Sequence, residues 1–352
     1  MIKKLFYLIF LNLFFCTKIF SQENTGMKFG INVDQIFKSD LDKNEHEYKP
    51  REVELTFYGP VNHQFDALVS VAAHEERGSF FFEIHEAWVS SSTLLENFEF
   101  RLGQYFLKIG RLNKVHRHEW PFITAPRYHQ DFFGQEGVED SGIEVTYQIP
   151  GKNNFSILAG LASGRTFGHS HSAGEQPNLP TNYLRFGYFF EAFGWNGFDL
   201  GLNYLNRINS VGDQTLFFGL DLIGKKKAGS STKHLVQNEV WFKQTSYDTR
   251  VNDKKEIGTY FYYEYGISND WAIGSRIDYF SDLTRKDIFG NTLDHYAIAG
   301  LLSLTYKPTE FMRFKLDYTY GFEKQDSTEL RQTNTLEFQV TFLLGAHPSH
   351  DF

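Results

Sequence analysis

The sequence predicts an all-β fold: a closed antiparallel transmembrane β-barrel of sixteen strands, with a long third extracellular loop folded inward. Three observations predict it. Apolar and polar residues alternate with a period close to two in segment after segment. The connections between those segments alternate short and long. Aromatic residues make up 17% of the 352-residue chain, with 37 Phe and 19 Tyr along its whole length, which suits a lipid-facing band with interfacial girdles.

The chain opens with MIKKLFYLIFLNLFFCTKIFSQ, in which Lys3 and Lys4 precede an apolar run from Leu5 to Phe15 and Ser21 supplies a small residue. That layout predicts a secretory signal peptide over 1–21, leaving one domain over 22–352. The bulky Leu13, Phe14 and Phe15 argue against acylation of Cys16, the only cysteine. Once it leaves with the leader, the mature chain has no disulfide and no thiol chemistry. The mature chain carries 32 basic against 43 acidic residues, a formal charge of −11, so a basic footprint for nucleic acid is absent. No later stretch approaches the 18 consecutive apolar residues of a transmembrane helix.

The strands are expected, in order, at 27–37, 50–59, 64–74, 80–91, 96–107, 140–149, 154–163, 181–191, 197–206, 214–223, 234–244, 256–266, 270–281, 294–306, 310–321 and 333–345. In the second, Val53, Leu55 and Phe57 share a face. In the third, Phe65, Ala67, Val69 and Val71 oppose Asp66 and Ser70. The fifth alternates Phe98, Phe100, Leu102 and Phe106 with Glu99, Arg101, Gly103 and Tyr105, and the sixth sets Ile143, Val145 and Tyr147 against Glu144, Thr146 and Gln148. The fifteenth sets Met312, Phe314, Leu316 and Tyr318 against Arg313, Lys315 and Asp317. The last sets Leu336, Phe338, Val340 and Phe342 against Glu337, Gln339 and Thr341.

Short turns such as GPVNH, PGKN, GWNG, SND and KPTE follow even-numbered strands, while odd-numbered strands are followed by 38–49, 108–139, 164–180, 245–255, 282–293 and 322–332. The 224–233 segment, GKKKAGSSTK, is long for its side. Closure follows from the solvent: open edges in lipid would leave backbone groups unpaired at several kcal/mol each. A soluble sandwich of sixteen strands would ordinarily split into domains, and no Pro- or Ser-rich linker interrupts this chain. The polar faces therefore line an aqueous lumen, with Glu99, Arg101, Arg313, Lys315 and Asp317 as pore-lining candidates.

The loop 108–139 holds Lys108, Arg111, Lys114, Arg117 and Arg127 against Glu119, Asp131, Glu136 and Glu139. Its Trp120, Phe122, Tyr128, Phe132 and Phe133 exceed what a solvated loop needs, so it is expected to pack on the lumen wall. Its five basic residues are the candidate constriction, and they would favour anions. The histidines offer a second chemistry. His74 and His85 flank one short hairpin connection, and His116-x-His118 and His169-x-His171 are close pairs. With His129, these residues are candidate ligands for zinc or copper. Scattered, solvated loop histidines with no cofactor are the plainer reading. No G-x-S-x-G elbow, Walker loop, dinucleotide fingerprint or H-E-x-x-H helix is present, so no enzyme is expected.

The strand RLGQYFLKIG (101–110), the long third loop and FFGQEGVEDSGIEVTYQIP (132–150) resemble the bacterial outer-membrane porin superfamily, especially its phosphate-selective porin O/P-like branch. The resemblance spans most of the mature chain. It implies a sixteen-stranded barrel in the outer membrane, commonly a homotrimer, with the third loop inside and passive diffusion of small hydrophilic or anionic solutes. In the phosphate-selective members, luminal arginines and a lysine cluster at the constriction meet anions. Lys108, Arg111, Lys114, Arg117 and Arg127 occupy the corresponding loop by general position. The added histidines and the acidic net charge depart from that pattern. Two other readings stand beside the porin: a divalent-metal channel using the histidines, and a non-transport structural or adhesin barrel.

Overall fold

A computed structural model describes residues 26–346, apart from 77–78, 152–153, 166, 168–176, 178, 230, 250–251, 287–289, 292 and 326–328. The expected leader with Cys16, and His169 and His171, lie outside the described residues. The strands run β1 (Lys28–Asp40), β2 (Glu45–Pro60), β3 (Asp66–Glu76), β4 (Ser79–Ser91), β5 (Phe98–Phe106), β6 (Glu139–Ile149), β7 (Asn154–Ala162) and β8 (Leu179–Phe190). They continue as β9 (Gly197–Ile208), β10 (Gln214–Ala228), β11 (Ser231–Ser246), β12 (Lys254–Gly266), β13 (Trp271–Asp282), β14 (His295–Thr309), β15 (Met312–Gln325) and β16 (Glu329–Gly345). Each pairs antiparallel with its neighbour in sequence, and β1 closes on β16 from Gly30↔Gly345 to Asp40↔Thr335. No helix among the described residues is long and apolar enough to cross a membrane; the chain crosses with strands.

Several expected loops are strand instead. The turn between β1 and β2 takes only 41–44, not 38–49. The 224–233 segment is absorbed by the ends of β10 and β11, and most of 322–332 by β15 and β16. Beyond the lipid, a strand no longer needs an apolar face, so the two-residue hydrophobic period fades while the backbone ladder continues. Pairs such as Lys38↔Glu47 belong to these polar extensions.

The two faces divide as the alternation requires. Phe57, Val69, Leu102, Ile143, Leu202, Phe261, Leu302, Leu316 and Phe338 are exposed on the outside. On the same strands Glu54, Ser70, Arg101, Glu144, Asn203, Asp317 and Glu337 are buried inside. A closed barrel with that exterior is an outer-membrane protein.

The interior is not uniformly polar. Phe217, Trp241, Tyr260, Tyr262 and Phe280, on β10 to β13, are buried inside and pack on the third loop. These rings serve an internal core rather than the lipid band expected of them, because a loop laid across the lumen excludes water from that sector of wall.

Candidate functional site

The third loop, residues 107–138, leaves β5 at Phe106 and crosses the barrel interior. Two short 3-10 turns, Leu112–Lys114 and Arg117–Glu119, and one helix, α1 (Arg127–Phe133), give it shape. Its backbone is bonded to strands around the circumference. Gly110 N–H donates to Asn203 Oδ1 on β9 at 2.9 Å, and Leu112 N–H to Glu239 Oε1 on β11 at 2.8 Å. Ile123 N–H donates to Asp317 Oδ2 on β15 at 2.7 Å, while Arg51 of β2 donates to Ile123 O at 2.7 Å. Arg276 of β13 donates to Thr124 O at 2.6 Å, and Thr124 Oγ1 to Glu337 Oε1 of β16 at 2.8 Å.

The loop's apolar side chains complete the seat. Phe122 meets Tyr260 edge-on at 5.7 Å, Phe133 meets Trp241 at 4.9 Å, and Phe132 meets Phe280 at 6.1 Å. The Arg276 guanidinium stacks 4.1 Å from the Phe122 centroid. At Gly258 of β12 the wall must be bare, since an added Cβ would lie 2.0 Å from Tyr128 Cβ.

The pore-lining candidates all point inward, but three of them hold the loop instead of facing open water. Arg313 donates to His118 O, Lys315 Nζ to Trp120 O at 2.6 Å, and Asp317 accepts from Ile123. Arg101 is buried over the Tyr105 ring and bonded to Glu144 Oε1 at 2.8 Å. Glu99 accepts from Lys108 Nζ at 3.2 Å. The five basic loop residues are likewise spread out rather than gathered at one throat. Lys114 lies 3.6 Å from Asp199, Arg117 pairs with Glu52 and Glu136, and Arg127 pairs with Asp131 and Glu323. Burial and the nearby Arg185 push the Lys114 ammonium down to about 8, against the pull of Asp221 and Asp199. Lys108, Arg111 and Lys114 do share a cavity of about 470 Å³, with Lys28, Arg101 and Glu99 on its wall.

Four of the candidate histidines converge. His74 Nε2 lies 2.7 Å from His85 Nε2, the His85 and His116 ring centroids are 6.2 Å apart, and those of His116 and His118 are 5.4 Å apart. His129 stands apart, ringed by Trp120, Tyr128 and Phe133, where burial pushes its imidazole down to about 3.

Sequence reading placed Glu86 beside His85 but missed Glu52, Glu54 and Glu136 as the carboxylates that meet these rings. Glu52 and Glu54 of β2, Glu86 of β4 and Glu136 of the loop are all buried beside them. Burial disfavours the charged form of His116, yet the Glu54 and Glu86 carboxylates hold it well above the ordinary imidazole range. The alternation of Glu52 and Glu54 marks both as inward-facing; nothing local marks which loop residue meets them.

No family model matches the chain. An uncharacterized protein of Aquifex aeolicus is 26% identical over 334 residues, covering 85% of this chain and 69% of that protein. Among solved structures, OprB of Pseudomonas putida superposes with a TM-score of 0.66 at 10% identity, covering 91% of this chain and 95% of the other. An anion-selective porin from Comamonas acidovorans superposes with a TM-score of 0.58 at 10% identity, covering 91% and 98%. These likenesses show the fold.

Proposed function

We propose that the chain is an outer-membrane channel for passive diffusion of small hydrophilic solutes, with a preference for anions set at the root of the third loop. The observation that carries this reading is the cavity beside β5. Lys28, Arg101, Lys108, Arg111 and Lys114 line it, against Asp66, Glu86 and Glu99. In a narrow, poorly hydrated passage that imbalance lowers the barrier for negative solutes. The shared fold with an anion-selective porin points the same way. The finer form of the reading, kinship with the phosphate-selective branch, and the homotrimer come from the resemblance in the sequence.

Single-channel recording of the mature protein in planar bilayers tests it. Discrete conductance steps are expected, with a reversal potential in a salt gradient set by the anion. Substituting Lys108→Gln, Arg111→Gln and Lys114→Gln together should move that potential toward the cation side. No discrete steps would overturn the channel in favour of a structural or adhesin barrel. An unmoved reversal potential would overturn the charge role. A second reading, passage of divalent metal, has the convergence of histidines and carboxylates behind it, and zinc permeability in the same bilayers decides it.

A further inference from the structure

We propose that Glu52, Glu54, His116 and His118 form a zinc-class metal site that pins the third loop to the barrel wall. The site does not depend on the channel reading, since a bound ion would serve a conducting or a closed barrel alike.

The donors are brought together by two local periods. Glu52 and Glu54 alternate on β2, so both carboxylates point inward, and His116 and His118 bracket Arg117 at the second 3-10 turn of the loop. All four residues are buried, and one ligand atom from each falls within 4.8 Å of the others.

Three separations in the cluster fit a shared metal ion. His116 Nδ1 lies 3.4 Å from Glu54 Oε1, and His118 Nδ1 lies 3.6 Å from both Glu52 Oε1 and Glu54 Oε2. A charge-assisted N–H···O contact would be about 2.7–2.9 Å. Ligand atoms at about 2.0–2.2 Å from a tetrahedral Zn²⁺ lie about 3.4 Å apart, close to these three separations, and the remaining ones stay within 4.8 Å.

The surroundings are those of a metal site as well. His116 presents its other nitrogen, Nε2, to Glu86 Oε2 at 2.9 Å, a hydrogen bond that turns Nδ1 toward the cluster. Glu52 keeps its second oxygen on Arg117 Nε at 3.0 Å, and Ser70 donates to Glu54 Oε1. Glu86 borders the cavity that holds Lys114, and His118 borders a second cavity of about 290 Å³, so the site lies between two cavities.

The neighbouring group of His74, His85 and Glu136 is a weaker candidate. It offers three donors instead of four, and Arg117 Nη2 already donates to His74 Nδ1 at 3.0 Å.

Zinc titration of the refolded full barrel in detergent, with competing chelator, should give one tight site per chain. Co²⁺ in its place should give the intense visible absorption of a tetrahedral N₂O₂ ion, a readout that needs no substitution. Replacing Glu52→Gln and Glu54→Gln together keeps the side-chain volumes and should weaken binding at least a hundredfold, with folding checked by heat-modifiable migration. Glu86→Gln should weaken it about tenfold. His85→Asn should leave it unchanged. The proposal is overturned by absence of stoichiometric zinc, by a weak octahedral cobalt spectrum, by equal affinity in the double variant, or by loss confined to His85→Asn.

Discussion

Arg51 and His85 each stand as the extra residue of a β-bulge. Asp34 pairs with Glu52 and Gln35 with Pro50, so Arg51 has no partner position; Ser70 pairs with Glu86 and Val71 with Ile84, which does the same to His85. A bulge lets two successive side chains share a face. Arg51 and Glu52 both point inward, as do His85 and Glu86, and all four bond with the loop or the histidines beside it. Pro50, which lacks an N–H, is a natural place for the ladder to slip. His129 gives a residue-scale prediction. An unfolded histidine takes its proton near pH 6.5, while His129 in the fold takes it near 3. Between those values the unfolded chain binds more protons, so stability is fully present above pH 6.5 and falls as pH is lowered. His129→Phe should remove roughly 3 kcal/mol of the loss between pH 6.5 and 4, read from urea midpoints in detergent.

The third loop is the element on which the interior depends. Its aromatic residues face wall aromatics, its carbonyls face Arg and Lys, and its amides face Asn, Glu and Asp. Asn203, Glu239, Arg276, Lys315 and Asp317 of the wall are thereby hydrogen-bonded to the loop. Gly258 is the tightest point of the seat. Gly258→Val should unseat α1 by driving Tyr128 off the wall while leaving the ladder between β12 and β13 intact. Limited trypsin digestion at Arg127 should become several-fold faster, and circular dichroism should keep its strand signal. Unchanged protection would mean the loop is held by its hydrogen bonds alone.

At the scale of the whole molecule, closure of β1 on β16 leaves no strand edge for lipid to meet. The exterior is then a belt of exposed aliphatic and aromatic side chains. Leu316 lies on that belt at 40% exposure, and its neighbours Lys315 and Asp317 are buried inside. Leu316→Arg should cost about 2–4 kcal/mol of folding stability in lipid vesicles, the expectation for a cation near the bilayer midplane. A much smaller loss from Thr319→Lys, on the inward side of the same strand, is the matching expectation. Equal losses would reverse the assignment of faces.

The barrel, its sixteen strands and the inward turn of Arg313, Lys315 and Asp317 were legible in the residues, because a period of two is written along each strand and lipid and water enforce it locally. Where strands left the lipid, as at 38–49 and 224–233, that enforcement lapsed and the segments read as loops. The seating of the third loop was only partly legible: its aromatic content pointed inward, but no residue-level signal marked Trp241 and Phe280 as the rings that receive it, since the chain's aromatics as a whole suited a lipid band. Only the tertiary structure decided that Lys315 grips Trp120, that bulges turn Arg51 and His85 inward, and that Glu52 and Glu54 meet His116 and His118. Those partners lie tens to hundreds of residues apart. Their meeting is set by where a closed wall brings a crossing loop, which no local period records.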